Sequence, residues 1–431
     1  MDHTLWSIIL ALMLFAFLAS GLWVALSLAL VGAVTMAVFT TVPAGKVLAS
    51  TVWSSSISWT LVSLPLFIWM AEILFRTRLS EALFAGLSPW LSRIPGGLIH
   101  VNVLGSGLFA AVCGSSSATC ATVGKMSVPE LKRLGYDERV TIGTLCASGT
   151  LGLLIPPSIG MIVFGVVANV SIAKLFIAGM IPGALLVLML IGSVVGWSLL
   201  NRSRMPPPGP SMPLLRRLYR SRHLIPVVFL IIAVLGSIYG GYATPTEAAA
   251  LGVVGALVIS AFSGTLNWRN FVDSVAGATR TSCMLGFIIA GASFLSIAMG
   301  YSGIPRFFAE NVAAMQLSRI ELILALTVLF VGLGCFLEGM SLIVLTGAVI
   351  MPLVNASGID PIWFGIYLIV ILEISLVTPP IGINLFVLQG MTGRDLGYVA
   401  SASLPFFLVL LVFLGLIVAF PGIVLFLPNM Y

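Results

Sequence analysis

Charge is scarce in this chain of 431 residues. Asp, Glu, Lys and Arg together make up 8% of it, against about 25% in a soluble domain. So little charge cannot coat a soluble globule, and no segment is polar enough to form a separate one. Histidine is scarcer still, at three residues. His3, His100 and His223 share no ligand spacing, and no H-E-x-x-H helix occurs, which excludes that zinc chemistry. Paired Asp-rich segments for prenyl diphosphates and a Gly-rich P-loop are also missing. These absences argue against a membrane-embedded enzyme, and no cofactor is expected. The five cysteines, Cys113, Cys120, Cys146, Cys283 and Cys335, all fall in apolar segments without metal spacing, and are expected to be small core side chains. No Lys or Arg precedes the first apolar run. The positive region of a cleavable signal peptide is therefore missing, and the first helix is expected to stay.

What is abundant is hydrocarbon. Hydrophobic residues make up 59% of the chain and the mean hydropathy is +1.16. Charge-free runs extend over His3–Gly45, Val140–Ala173, Leu175–Asn201, Thr281–Pro305 and Leu396–Tyr431. Each exceeds the roughly 20 residues that span a bilayer. This is the composition of an all-α polytopic membrane protein. The net charge of +6 fits cytoplasmic loops rich in Lys and Arg better than a nucleic-acid partner.

One of these runs contains "SGTLGLLIPPSIG", Ser148 to Gly160. Two adjacent prolines lack backbone N–H groups and break a helix, and the freed carbonyls find no water in hydrocarbon. The same device recurs in "LEISLVTPPIGIN", Leu372 to Asn384, with Pro156 and Pro379 standing 223 positions apart. Pro129 and Pro352, Gly135 and Gly358, Asp137 and Asp360, Gly124 and Gly347, and Gly32 and Gly255 share that spacing. An ungapped internal repeat is the reading. It divides the chain into a first repeat over 1–200, a linker over 201–223 and a second repeat over 224–431. The linker, "NRSRMPPPGPSMPLLRRLYRSRH", holds six arginines, five prolines and no acid, as a cytoplasmic segment should.

Segments are expected at about 4–20, 22–40, 55–75, 98–125, 140–170 and 175–199. In the second half they fall at about 224–240, 246–263, 281–300, 320–352, 362–390 and 399–427. If the fourth of each set is a re-entrant hairpin, each half crosses five times, and the halves are inverted relative to one another. With the linker inside, sixteen of the twenty Lys and Arg fall on the cytoplasmic side, with only Lys46, Lys174, Arg306 and Arg319 outside. The first hairpin then enters from the cytoplasm, and both termini lie outside.

Broken helices supply polar groups at the bilayer midplane without burying many charges. The first hairpin tip, "CGSSSATCATVG" from Cys113 to Gly124, carries the hydroxyls of Ser115, Ser116, Ser117, Thr119 and Thr122. Oxygen donors suit a hard cation such as sodium; small residues also let helices pack closely, so both readings stand. The second tip, "GCFLEGMSLIVLTG" from Gly334 to Gly347, contains Glu338. A sodium ligand, a proton carrier and a lock to another helix are all open for it, and for Glu373 beside the second break a structural hydrogen bond competes with an ion-site role. Glu72 is expected to snorkel from a helix end, and His100 to be interfacial.

The segments "GSSSATCATVG", "GTLGLLIPPSIG", "ATPTEAAALG" (Ala243 to Gly252) and "EISLVTPPIGINLFV" follow one another along the chain. With them the chain resembles the large membrane subunit, DctM-like, of the tripartite ATP-independent periplasmic (TRAP) transporters. The resemblance implies an elevator-type secondary transporter of the ion transporter superfamily in the bacterial inner membrane. It implies sodium symport of an organic acid, a periplasmic binding protein that delivers it, and a separate small four-helix membrane subunit. It places one sodium site at Ser115, Ser116, Ser117, Gly149 and Thr150, and another at Glu338, Gly339, Ser341, Thr378 and Pro379. Substrate would lie near Thr119, Pro157, Ser158, Pro380 and Asn384. The family pattern commonly carries Asp where this chain has Glu338, so the longer side chain alters the reach of that ligand. An ion or organic-acid transporter, or a sodium/proton antiporter, of the same superfamily acting without a binding protein is the alternative.

Overall fold

The computed structural model describes residues 3–77, 79–207, 213–222, 224–314, 318–335, 337, 339–379 and 382–430. Among them every regular element is a helix. Glu338 and Pro380 lie outside the described residues.

Helix boundaries recur at the spacing seen in the sequence. The first hairpin is His100–Cys113 followed by Ser116–Arg133; the second is Arg319–Gly334 followed by Gly339–Ala356. The first broken helix runs Glu138–Gly149, Leu151–Leu154 and Ile159–Val167; the second runs Pro361–Ser375 and Ile383–Thr392. Long helices close each half, at Ile172–Leu200 and Leu396–Ala419. The repeated Gly and Asp of the sequence explain this register. Gly135 and Gly358 turn the chain at φ +80° and +66°, a conformation that only glycine adopts without strain. Asp137 then accepts from the backbone N–H groups of Arg139 and Val140 at 2.9 and 3.3 Å. Asp360 does the same for Ile362 and Trp363 at 2.8 and 3.0 Å. Each carboxylate caps the helix that leads into a break.

The order of elements repeats in the two halves, with one helical hairpin and one broken helix in each. Four single helices are long and apolar enough to cross a membrane, and up to eight spans result if each bent pair is one. His3–Ala19 and Val24–Phe39, at 17 and 16 residues, sit near the lower limit of about 17.

The third crossing differs from the segment expected over 55–75. It begins earlier, at Ala44–Ser56, bends by 57° and continues to Phe75. Its counterpart, Trp268–Ser302, is a continuous helix of 35 residues that starts before the segment expected at 281. Charge hid that start, because Arg269, Asp273 and Arg280 interrupt the apolar run. Short helices at Leu79–Leu91 and Ile304–Ala314 precede the hairpins and have no counterpart among the expected segments. A linker helix, Leu214–Ser221, is tied to the first of them: Ser221 Oγ donates to the Gly86 carbonyl, and Trp90 Nε1 donates to Ser221 Oγ, each at 2.8 Å.

The hairpins, broken helices and closing helices pack together, and the remaining helices form a wall beside them. Every residue from Trp363 to Ser375 is buried. Lipid gives helices no hydrophobic reason to associate, so close packing and interhelical hydrogen bonds do that work. Asn102 Nδ2 donates to Thr141 O and Thr144 Oγ1 at 3.1 and 3.0 Å, and Ser106 Oγ meets Ser148 Oγ at 3.1 Å. These bonds join the first hairpin to the first broken helix. In the second half Tyr367 Oη donates to the Ile323 carbonyl at 2.8 Å.

Two single-residue expectations are corrected. His100 is buried rather than interfacial, at 1% exposure, with Nε2 at 2.8 Å from the Pro95 carbonyl. Cys283 is exposed, not a core side chain, because it lies on the outward face of Trp268–Ser302.

Candidate functional site

The first hairpin reverses over Gly114 and Ser115. Gly114 has φ +62°, and a Cβ there would lie 3.1 Å from the Pro157 carbonyl oxygen and 3.0 Å from the Ile159 nitrogen. Gly152 would carry its Cβ to 2.6 Å from the Ser115 carbonyl. Glycine at both positions lets tip and break meet backbone to backbone. The break itself bends the helix by 42°. After it, Ser158 caps Ile159–Val167, accepting from the Met161 N–H at 3.3 Å.

The expected first sodium set is brought together around this meeting. Ser116 is buried, Ser115 and Ser117 are half-buried, and Gly149 and Thr150 are buried. Thr150 Oγ1 donates back to the Ala147 carbonyl at 2.5 Å. Ser116 Oγ donates to Glu373 Oε1, and the Leu153 N–H donates to the same oxygen at 2.9 Å. Glu373 is 2% exposed, and its Oε2 has no hydrogen-bond partner among the described residues. Asn384 also crosses over: its Nδ2 donates to the Cys146 carbonyl at 3.4 Å, while its buried Oδ1 has no such partner. The second broken helix thus contributes two polar side chains to the first break. The acid at 373 was visible in the sequence; which half it serves was not.

In the second set, Gly339 and Ser341 are buried at the start of the returning hairpin arm. Thr378 Oγ1 donates to the Ile374 carbonyl at 2.7 Å, and the Pro379 carbonyl faces Cys335 Sγ at 3.9 Å. Gly334 presses on Ser375, so this hairpin too abuts its break. The two halves converge: Gly339 faces Leu153 and Gly160 faces Ile343.

A cavity of about 260 Å3 opens where both tips face the wall. Cys113, Ser115 and Ala118 of the first tip, Ile159 of the break and Met340 of the second tip form one side. Ile68, Ala71, Glu72 and Phe75, with Thr281, Met284 and Leu285, form the other. Thr119, Pro157, Ser158 and Asn384, expected near substrate, are buried and do not line it. Glu72 was expected to snorkel. Instead Arg76 donates to its carboxylate and to its carbonyl, the latter at 2.9 Å, and also to the Asp273 carbonyl at 3.0 Å.

A second hollow of about 450 Å3 lies between Ser58–Thr60, Gly165–Ala173 and Thr244–Thr246. The "ATPTEAAALG" segment borders it and forms a capping box: Thr244 Oγ1 accepts from the Glu247 N–H at 3.4 Å, and Glu247 Oε2 accepts from the Thr244 N–H at 2.8 Å. No cluster of three or more His, Cys, Asp and Glu that could hold a metal ion occurs among the described residues.

A solved structure shows the same arrangement of helices. It is the YdaH transporter of Alcanivorax borkumensis, which superposes with a TM-score of 0.68 over 95% of this chain and 98% of its own at 15% identity. Closer sequence relatives include the C4-dicarboxylate TRAP transporter large permease protein DctM of Pseudomonas aeruginosa, 35% identical over 94% of each chain. The sialic acid TRAP transporter large permease protein SiaM of Vibrio cholerae is 28% identical over 87% of each. The isethionate TRAP transporter permease protein DctMQ of Oleidesulfovibrio alaskensis is 31% identical over 95% of this chain but only 64% of its own length. The model of the family described as "Tripartite ATP-independent periplasmic transporter, DctM component" matches residues 11–423. The chain belongs to that family: it is a multi-pass membrane transporter component of the TRAP type, and not an enzyme.

Proposed function

We propose that the chain is the large subunit of a sodium-driven symporter for a small organic acid in the bacterial inner membrane. A periplasmic binding protein delivers the acid, and a separate small four-helix subunit completes the membrane part. The hairpins and broken helices slide as a unit against the wall, in elevator fashion, with residues 1–200 and 224–431 as the inverted repeats and 201–223 in the cytoplasm. Both termini lie in the periplasm. Sodium is the coupling ion, and no other cofactor is needed.

The observation that carries this reading is the meeting of the first tip and the first break. Ser116 Oγ donates its hydrogen bond to Glu373, which leaves the lone pairs of the serine oxygen to face a cation. Ser115, Ser117, Gly149 and Thr150 complete that first site with hydroxyl and carbonyl oxygens, the donors a hard cation prefers. The second site comprises Glu338, Gly339, Ser341, Thr378 and Pro379, with Thr119, Pro157, Ser158, Pro380 and Asn384 near the substrate path. Reconstitution tests the whole. The chain with its small subunit and binding protein should concentrate substrate in liposomes only under an inward sodium gradient. Uptake by the chain alone, or without any ion gradient, overturns it.

A further inference from the structure

We propose that the linker helix Leu214–Ser221 is an interfacial anchor that binds the headgroups of anionic phospholipids. The proposal needs neither the sodium sites nor an assigned solute, so it stands or falls apart from the transport reading. It begins from an exposed helix face. At helical spacing Leu214, Leu215, Leu218 and Tyr219 share one side of this helix, and they are 52 to 82% exposed. Arg216, Arg217 and Arg220 share the other side. An apolar face backed by a basic one is the pattern of a helix lying in the bilayer interface.

Further observations put that face in lipid. The linker helix meets the crossing helix Ile225–Tyr239 at 66°, so it turns away from the crossing direction. The crossing helix itself exposes Ile225, Phe229 and Ile232, one stripe at helical spacing whose solvent is hydrocarbon. The apolar side of the linker helix offers the same kind of surface next to it in the chain. The depth of the short helix is fixed by its tie to Leu79–Leu91. Ser221 Oγ donates to the Gly86 carbonyl and accepts from Trp90 Nε1, each at 2.8 Å, and tryptophan favours the headgroup level.

Charge decides which lipid. Arg216, Arg220 and Arg222 are exposed. Arg217 lies 6.0 Å from the Trp90 ring centre and Arg222 4.0 Å from that of Tyr219. A cation seated on a ring keeps its charge, and the ring holds it at the depth where headgroups lie. Guanidinium groups take phosphate oxygens through paired hydrogen bonds. A zwitterionic headgroup brings its own cation to that meeting, whereas an anionic one does not. The linker, residues 201–223, contains no Asp or Glu, so its own sequence supplies no countercharge. Arg204 stands 3.9 Å from Asp137 and is set apart from the cluster. Each basic residue beside an anionic surface is worth about five-fold in affinity. The helix Leu79–Leu91 packs against His100–Cys113, so a headgroup held here steadies the element from which the first hairpin starts.

The test places a fluorophore on Leu215→Cys, with Cys283→Ser because Cys283 is exposed and the other cysteines are buried. The full chain with its small subunit is reconstituted in vesicles of phosphatidylcholine and phosphatidylglycerol in equal parts, with brominated chains on one lipid or on the other as quencher. The same lipids in both leaflets make the result independent of which side the linker faces. Quenching should be stronger by about five-fold or more when phosphatidylglycerol carries the bromine. Arg216→Gln with Arg220→Gln should bring the ratio towards one, and Arg216→Lys with Arg220→Lys should keep it. Raised salt should weaken the preference in the parent without any substitution. Equal quenching by the two lipids in the parent overturns the proposal, because the face then inserts without regard to headgroup. Quenching by aqueous iodide and by neither lipid overturns it by leaving the face in water. Protection from lipid and iodide alike overturns it by putting protein, such as the small subunit, on that face. A preference that survives in the Gln pair and in raised salt overturns the part given to the arginines.

Discussion

Ser116 and Glu373, 257 positions apart, share a hydrogen bond across the two halves of the molecule. The same Glu373 oxygen accepts from the Leu153 N–H, so one carboxylate holds the first hairpin tip and the first break together. Replacing Glu373 with Ala removes the acceptor for two buried donors. Such orphaned groups cost about 1–3 kcal/mol each, so the Ala variant should melt well below the parent. Glu373→Gln keeps an acceptor oxygen and should fold. If the carboxylate charge helps hold sodium, the Gln variant needs more sodium for half-maximal uptake, by roughly five- to a hundred-fold for a loss of 1–3 kcal/mol. An unchanged sodium curve would assign Glu373 a purely structural part.

Gly152 offers a steric test of the same contact. A Cβ there would stand 2.6 Å from the Ser115 backbone, and backbone cannot swing aside as a side-chain tip can. Gly152→Ala should destabilise by about 1–3 kcal/mol, the usual range for overpacking, and should slow uptake. Gly192, with nothing within 4 Å of its added Cβ, is the control, and Gly192→Ala should be near neutral. Thermal melts of the two variants side by side decide the matter.

On the linker side of the molecule, Arg394 donates to Glu138 at 2.6 and 3.1 Å. The guanidinium hydrogen bonds hold the Glu138 carboxyl below its ordinary value of 4.5. A carboxylate depressed in the folded state contributes stability above its ordinary value and loses it as pH falls through the depressed one. The pair joins the start of the first broken helix to the end of the second. Acidification through the carboxylate range should therefore lower Tm in the parent, and Arg394→Ala should flatten that slope. The effect is small, because Arg394 is exposed, Glu138 is only half-buried, and solvent screens the pair.

Sidedness follows from the uneven distribution of Lys and Arg. Cysteines placed at Arg204, in the segment after Ile172–Leu200, and at Asn429, near the end of the chain, should respond oppositely to an impermeant thiol reagent in whole cells. Asn429→Cys should label and Arg204→Cys should not. The reverse pattern would turn the whole molecule over in the membrane.

The repeat was legible because its marks have local causes. Asp137 and Asp360 cap helices and Gly135 and Gly358 turn the chain, and such short-range demands leave their residues at fixed spacing. The double prolines announced the breaks for the same reason. What stayed hidden depends on distant partners. Nothing near Glu373 in sequence says that it serves Ser116, and nothing near His100 says that the helices packed around it bury it to 1% exposure. Glu72 read as a helix-end charge because the carbonyl of Asp273 that steadies its arginine belongs to the other half. The short helices Leu79–Leu91 and Ile304–Ala314 escaped notice because they are too brief to carry a periodic signal of their own.

The placement of Glu373 and Asn384 also bears on how such a molecule could have arisen. At the spacing of 223, their counterparts in the first half are Thr150 and Met161. A protein assembled from two copies of the first half would put a threonine and a methionine where the carboxylate and the amide now stand. It would leave the Leu153 N–H and the Ser116 hydroxyl without their present acceptor. The second half thus supplies what the first half's own sequence lacks at these two positions, and one half cannot stand in for the other there.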